Sequence, residues 1–418
     1  ASVSLLVVLL IFLVIYAHPR FRKMQYYTDN INQVTRENMT GMRVVRANNA
    51  EQYEEDKFDK ANEEYTVNAL KARRAMGLMQ PVTKFVNNEL NVGIYCIGAF
   101  LIAQSNSAEQ LEIFSEMVVF STYAARIVRA FMGLNMIFNM IPRASVSAER
   151  INEVLDTELS IHDGNIDTKL EESGCMEFKD VSFYYPEATT PALSHISFTA
   201  NKGQTIAFIG STGSGKSTII NLMMRFYDPS SGSIVVDGID IKDYKQNNLR
   251  EKMGYASQQA ILFTGTIRSN IAYAKKDIEE KVRRAVRIAQ ADDFVSHKEG
   301  DINAKITRGG TNVSGGQKQR LSVARAVYRE PEFYLFDDTF SALDYKTDRI
   351  LRKTLKEETA GITTFIVAQR IGTIKDADKI LVLDEGKIVG EGTHQELMEN
   401  CQIYKEIAYT QLSKEELA

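Results

Sequence analysis

The residues best suited to chemistry lie in the second half of the chain. Gly210 to Ser217 reads GSTGSGKS, which fits GxxxxGK[ST], between the apolar run TIAFI and the helical stretch STIINLMMRF. Gly210, Gly213 and Gly215, with Ser211, Thr212 and Ser214 between them, let consecutive backbone N–H groups wrap a phosphate. The helix that opens there adds a favourable potential for negative charge. Lys216 is placed to reach the β- and γ-phosphates and Ser217 to ligate Mg²⁺, with Thr218 next in the same turn. The apolar run FYLF leads into Asp337, the first aspartate of FYLFDD and a carboxylate suited to the Mg²⁺ shell. A second phosphate-binding pattern is VSGGQ, Val313 to Gln317. Ser314, Gly315, Gly316 and Gln317 present a hydroxyl and backbone donors at another helix N-terminus. The first motif already holds this chain's nucleotide. Two phosphate sites on one domain make sense if nucleotide is sandwiched between two domains head to tail, so the chemistry implies a dimer.

The elements that must position these groups differ between the two halves. Strand candidates are MEFKDVSFYY, ISFTA, TIAFIG, SIVVDG, FYLFDD, TTFIVA and KILVLDEG, several separated by helical stretches, which argues α/β. Only 5 of the 25 glycines lie in residues 1–157, as expected where helices precede strands and tight loops. The first half opens on ASVSLLVVLLIFLVIYA, uncharged from Ala1 to Ala17 and followed by Arg20, Arg22 and Lys23. Lys/Arg after an apolar helix places that end in the cytoplasm, and the basic flank is on the wrong side for a cleaved signal. Met24 to Met79 is polar and helical, a hairpin projecting into the cytoplasm with its bend expected near Gly41. Two further apolar segments follow, Pro81 to Gln104 and Ile113 to Ile141. Glu89, Arg126 and Arg129 within them are candidates for a substrate cavity, because charge at membrane depth is costly; Glu89 beyond the headgroups is the alternative.

The 418 residues exceed one ordinary domain. A formal net charge of -4 gives no basic signal for nucleic acid, and 44% apolar with 25% charged residues excludes a disordered or fibrous chain. Cys96, Cys175 and Cys401 form no CxxC pair, which argues against a Cys-rich metal site. The domains expected are a helical membrane region over 1–157, a polar connector over 158–175, an α/β nucleotide-binding domain over 176–413 and a tail over 414–418. The membrane region is all-α and partial, about three spans with long cytoplasmic extensions.

The motifs VSGGQKQRLSVARAV and FYLFDD, with 23 positions from Ser314 to Asp337, resemble the nucleotide-binding domain of ATP-binding cassette (ABC) transporters. The resemblance covers essentially the whole chain. It implies that Tyr185 stacks adenine, that Gln258 touches Mg²⁺ and senses the membrane domain, and that Ser341 to Asp344 forms the loop that crosses to the partner. The membrane region then resembles helices 4 to 6 of a type IV exporter, and ENMTGMRVVRANNAE the region of its second coupling helix. ATP and Mg²⁺ are the cofactors implied, with multidrug export the default function. The setting implied is a multi-pass protein of a bacterial plasma membrane, its nucleotide-binding domain cytoplasmic.

Two positions depart from that pattern. Where the family has a catalytic glutamate after the acidic strand end, this chain has Asp338, one methylene shorter. Where the family has a histidine in IVAHR, it has Gln369. Both fall on the same half of the sandwich, while the VSGGQ signature stays nearly intact. The expectation is one subunit of a heterodimeric exporter, with a second half-transporter supplying the competent site. Alternatives are a slow homodimer, residues altered to trap ATP, a lipid or peptide exporter, or an ATP-gated channel. A soluble ABC ATPase acting on DNA is disfavoured, because only 104 positions separate Gly210 from Ser314 and leave no room for its long coiled coil.

Overall fold

The structure, a computed structural model, describes the backbone of residues 2–106, 109–166 and 174–411. The side chains of 2–22 and of scattered helical positions lie outside the described set, as do the expected tail 414–418 and connector residues 167–173. The chain divides into two compact units, Ala1–Thr157 and Glu158–Ala418.

The first unit is all helix: α1 Ser2–Ala47, α2 Glu51–Gly77, α3 Met79–Gln104 and α4 Gln110–Leu155. At ~1.5 Å per residue, the 46 residues of α1 exceed a ~30 Å hydrocarbon layer about twofold, so much of that helix stands in water. The hairpin bend is not at Gly41, which lies inside α1, but at Asn48 to Ala50. Asn49 takes the left-handed conformation (φ 49°), and the Ala50 N–H donates to the Val45 carbonyl. Asn tolerates that conformation and so ends a helix, whereas a lone helical glycine only weakens one. Val34, Ala61, Ala69 and Val86 are buried, and the Lys57 ammonium meets Glu37 at 2.9 Å. Among the described residues one helix, Lys84–Gln104, is long and apolar enough to cross a membrane. The span expected over Ala1 to Ala17 falls on side chains outside the description, and much of Ile113 to Ile141 does too.

The second unit is built on a six-stranded sheet. The described strands of the unit, in three sheets, are β1 Met176–Phe183, β2 Leu193–Ala200, β3 Thr205–Gly210, β4 Ser231–Val236, β5 Ile239–Asp240, β6 Met253–Ala256, β7 Gly265–Thr266, β8 Lys305–Ile306, β9 Phe333–Asp337, β10 Thr363–Val367, β11 Lys379–Asp384 and β12 Lys387–Gly392. The central order is β12-β11-β3-β10-β9-β6, parallel except for β12. A four-stranded antiparallel sheet, β2-β1-β4-β5, packs beside it.

Period two explains both layers. In β3, Ile206 and Phe208 face one core while Ala207 and Ile209 face the other. In β9, Phe333 and Leu335 join the first set, and Tyr334 and Phe336 the second. A parallel strand buried on both faces must be a continuous apolar run, which is why TIAFIG, FYLFDD and TTFIVA were visible in the sequence. The edge strand β12, KIVGEG, alternates half-buried and exposed and carries too little apolar character to stand out.

Candidate active site

The phosphate loop joins β3 to α5, Lys216–Met223. Gly210 must be glycine, because a Cβ there would come within 2.0 Å of the Leu383 carbonyl oxygen. Gly215 starts the helix at φ 97°, and a Cβ on it would meet Leu193 and the Ala192 carbonyl. The Lys216 ammonium donates to the carbonyls of Gly210 (2.9 Å) and Ser211 (2.7 Å) and lies 3.3 Å from Ser214 Oγ. Burial pushes Lys216 below the ordinary lysine range, against the attraction of Asp338 and Asp337. A cation that rests on carbonyls inside an anion cradle exchanges them readily for phosphate oxygens.

The strands bring distant residues to this loop. Because β3 and β9 both flank β10 in parallel, their C-terminal ends lie at the same edge of the sheet. Ser217 Oγ donates to Asp337 Oδ1 at 2.9 Å, the pairing expected of two ligands to one Mg²⁺. Asp337 is pushed above the ordinary carboxylate range chiefly by burial, with Ser217 opposing. Beside it, burial holds the Tyr255 hydroxyl up at about 12. Asp338 follows in a left-handed conformation (φ 47°), its N–H donating to Val367 O. Its Oδ2 accepts from Gln369 Nε2 at 2.9 Å and from Gln258 Nε2 at 3.5 Å. Burial raises the Asp338 pKa too. The three residues Asp338, Gln369 and Gln258 therefore converge, although 111 positions separate the outermost two.

Tyr185 meets the first turn of α5, its hydroxyl 3.1 Å from Thr218 Oγ1 and its ring edge-on to Tyr227 and Phe183. The signature residues lie on another element. Ser314 caps the helix Gly315–Tyr328, in a capping box with Gln317. Among the described residues no hydrogen bond joins Ser314 to Gly210–Thr218. Asp344 caps the helix Tyr345–Glu358, accepting from the Thr347 N–H at 3.0 Å, and those backbone hydrogen bonds hold its carboxyl below the usual range.

Sequence reasoning missed three supports. Thr339 Oγ1 donates to Ala256 O at 2.9 Å, and Ser341 Oγ to Asp338 O at 2.8 Å. Gln319, buried in the signature helix, donates to the Gln258 carbonyl at 3.0 Å. Gln319 lies one turn beyond Ser314, so the helical period could have flagged it; nothing local marks the others. In the first unit, Glu89, Arg126 and Arg129 are exposed, and a polar contact not foreseen, Ser121 Oγ to Asn91 Oδ1 at 2.8 Å, joins α4 to α3.

A glycine-rich loop around a buried lysine, a paired hydroxyl and carboxylate and a capped signature helix are the parts of an ATP-binding domain, and a helical region precedes them in the chain. Sequence profiles agree: the ABC transporter profile matches residues 193–341, and the ABC transporter transmembrane region matches 1–131. The chain is 40% identical to an uncharacterised ABC transporter ATP-binding protein of Mycobacterium tuberculosis (strain ATCC 25618 / H37Rv), covering 98% of this chain and 70% of that one. It is 37% identical to the ATP-dependent lipid A-core flippase of Saccharophagus degradans, over 94% of this chain and 65% of the relative. It is 34% identical to a Bacillus subtilis protein named "Probable multidrug resistance ABC transporter ATP-binding/permease protein", over 93% and 66%. A solved bacterial Atm1-family ABC exporter with ATP bound superposes with TM-score 0.83 at 27% identity, covering 99% of this chain and 73% of that one.

The chain belongs to the ABC transporter family. It has the exporter-type fold, and ATP hydrolysis coupled to transport is the activity that membership carries.

Proposed function

We propose that this chain is one subunit of a heterodimeric bacterial exporter whose two ATP sites are unequal, and that its own loop builds the slower one. The observation that carries this is the Asp338 carboxylate, which accepts from Gln369 at 2.9 Å where a glutamate facing a histidine would be expected. An aspartate ends one methylene short, a displacement of ~1 Å that can cost ~100-fold in rate. Gln369 donates a hydrogen bond but carries no positive charge. Ser314 to Gln317 keep their donors free of the phosphate loop and would complete the partner's faster site.

Mg²⁺ fits the site: Ser217 and Asp337 are paired, Gln258 lies close to Asp338, and phosphate oxygens with water would supply the remaining ligands. Bound there, the ion would neutralise charge between the β- and γ-phosphates. Tyr185 supports the adenine, Lys216 leaves its carbonyls for phosphate, and Asp344 belongs to the loop that crosses the dimer. The cargo class is lipophilic, as the names of two relatives suggest, and the membrane is the plasma membrane.

The test compares two substitutions in the assembled transporter. Asp338→Glu should change ATPase turnover far less than removing the partner's catalytic glutamate. Equal and severe losses from Asp338→Ala and from the partner substitution would overturn the unequal-site reading.

A further inference from the structure

We propose that Gln411 is a positioning residue for ATP hydrolysis, acting through the segment that carries Gln369. Its side-chain amide grips that segment on both sides of Arg370. Nε2 donates to the Gln369 carbonyl oxygen at 2.8 Å, and Oε1 accepts from the Ile371 N–H at 2.8 Å. That N–H opens the short helix Ile371–Ile374, whose own cap residue, Arg370, offers no side-chain hydrogen bond. Gln411 therefore satisfies, from 40 positions away, one of the N–H groups that a helix start leaves without an intrahelical acceptor.

The amide stands on an anchored element. Helix Gln402–Gln411 buries Tyr404 and Ala408 completely, and Tyr404 OH pairs with His394 Nδ1 at 2.7 Å. On the other side of the clamp, Gln369 Nε2 reaches Asp338 Oδ2 at 2.9 Å. A continuous path runs from the buried C-terminal helix through one glutamine to another and on to the carboxylate beside the phosphate loop. The helix fixes where the Gln369 backbone sits; the Gln369 side chain then fixes Asp338. The inference rests on the proposal that Asp338 and Gln369 set the hydrolysis rate at this chain's own ATP site.

Single-turnover ATP hydrolysis in the assembled full-length transporter tests it, reading the phase that belongs to this chain's own site. Gln411→Ala should slow that phase about fivefold, the worth of one ordinary hydrogen bond. Half-saturating ATP should stay within about twofold, because the clamp lies outside the binding loop. Gln411→Glu, which keeps the acceptor for Ile371 and loses the donor to Gln369, should fall between wild type and Gln411→Ala. In a Gln369→Ala background, Gln411→Ala should slow the reaction no further. The proposal is overturned if Gln369→Ala slows the phase and Gln411→Ala does not, or if the two losses multiply. It is also overturned if Gln411→Ala lowers the melting temperature while the rate per folded molecule is unchanged. If Gln369→Ala alone leaves the phase unchanged, the role given to Gln369 at this chain's own site fails and this proposal falls with it.

Discussion

Asp337 shows how one carboxylate can serve binding at a cost to the fold. Its pKa is raised because burial disfavours the charged form more than Ser217 and Lys216 favour it. The folded state therefore holds the proton more tightly than the unfolded chain does. At pH above the raised value the ionised group destabilises the nucleotide-free domain, and that penalty disappears as pH falls to the ordinary aspartate range near ~4. Asp337→Asn keeps an acceptor for Ser217 and removes the charge. Without nucleotide it should raise the melting temperature at neutral pH, with a gain that shrinks on acidification. A gain that grew toward acid pH would contradict the burial argument. With nucleotide and Mg²⁺ the order should invert, because the charge that costs stability is the one the ion needs.

At the scale of elements, the connector is the instructive segment. Its composition, polar and non-periodic, points to a free linker, yet residues 162–166 dock on the ATP-binding unit. The Gly164 and Ile166 N–H groups donate to the carbonyls of Tyr244 and Asp243, and Ile166 forms a parallel bridge with Tyr244. Arg225, buried, donates through Nη2 to His162 O and through Nη1 to Tyr244 O, while Asp228 takes its Nε. Gly164 permits this contact: a Cβ there would lie 2.1 Å from the Asp243 carbonyl oxygen. Gly164→Ala should force that strap off its site at a cost of about 1–3 kcal/mol. Limited proteolysis should then cut residues 158–166 faster than in the wild type. Unchanged protection would mean that the backbone yields without undocking. Polar sequence hid this element because its bonds are made by backbone groups and one distant arginine.

For the whole molecule, the first unit leaves large apolar side chains uncovered: Phe100 at 62%, Phe114 at 51% and Phe120 at 66% exposure. Large apolar side chains exposed in such number call for lipid or partner helices. On the second unit, among the described residues, no hydrogen bond joins Ser314 at the signature helix N-terminus to the phosphate loop of its own chain. A tagged full-length chain extracted from its native membrane should therefore bring down a second, different ABC subunit carrying Glu and His at the positions of Asp338 and Gln369. Recovery of a complex containing only this chain, at two copies, would favour the homodimer.

The sequence alone determined whatever is contiguous or periodic. The phosphate loop is eight adjacent residues around a strand–helix junction, so its chemistry survives without knowledge of the fold. The central strands are apolar on both faces and carry their own signal, as does the capped signature helix. The pairing of Asp338 with Gln258 and Gln369, and the clamp of Gln411 on Gln369 and Ile371, were decided only by tertiary structure. Family resemblance pointed to the first three residues but could not show one carboxylate oxygen accepting from two amides. The strand order β3-β10-β9-β6 brings those segments to one edge, and hydrogen bonds between short polar side chains reach only ~3 Å. The same limit explains the misplaced bend. A left-handed asparagine ends α1 through its backbone conformation, and Gly41 had nothing in its surroundings that required a turn.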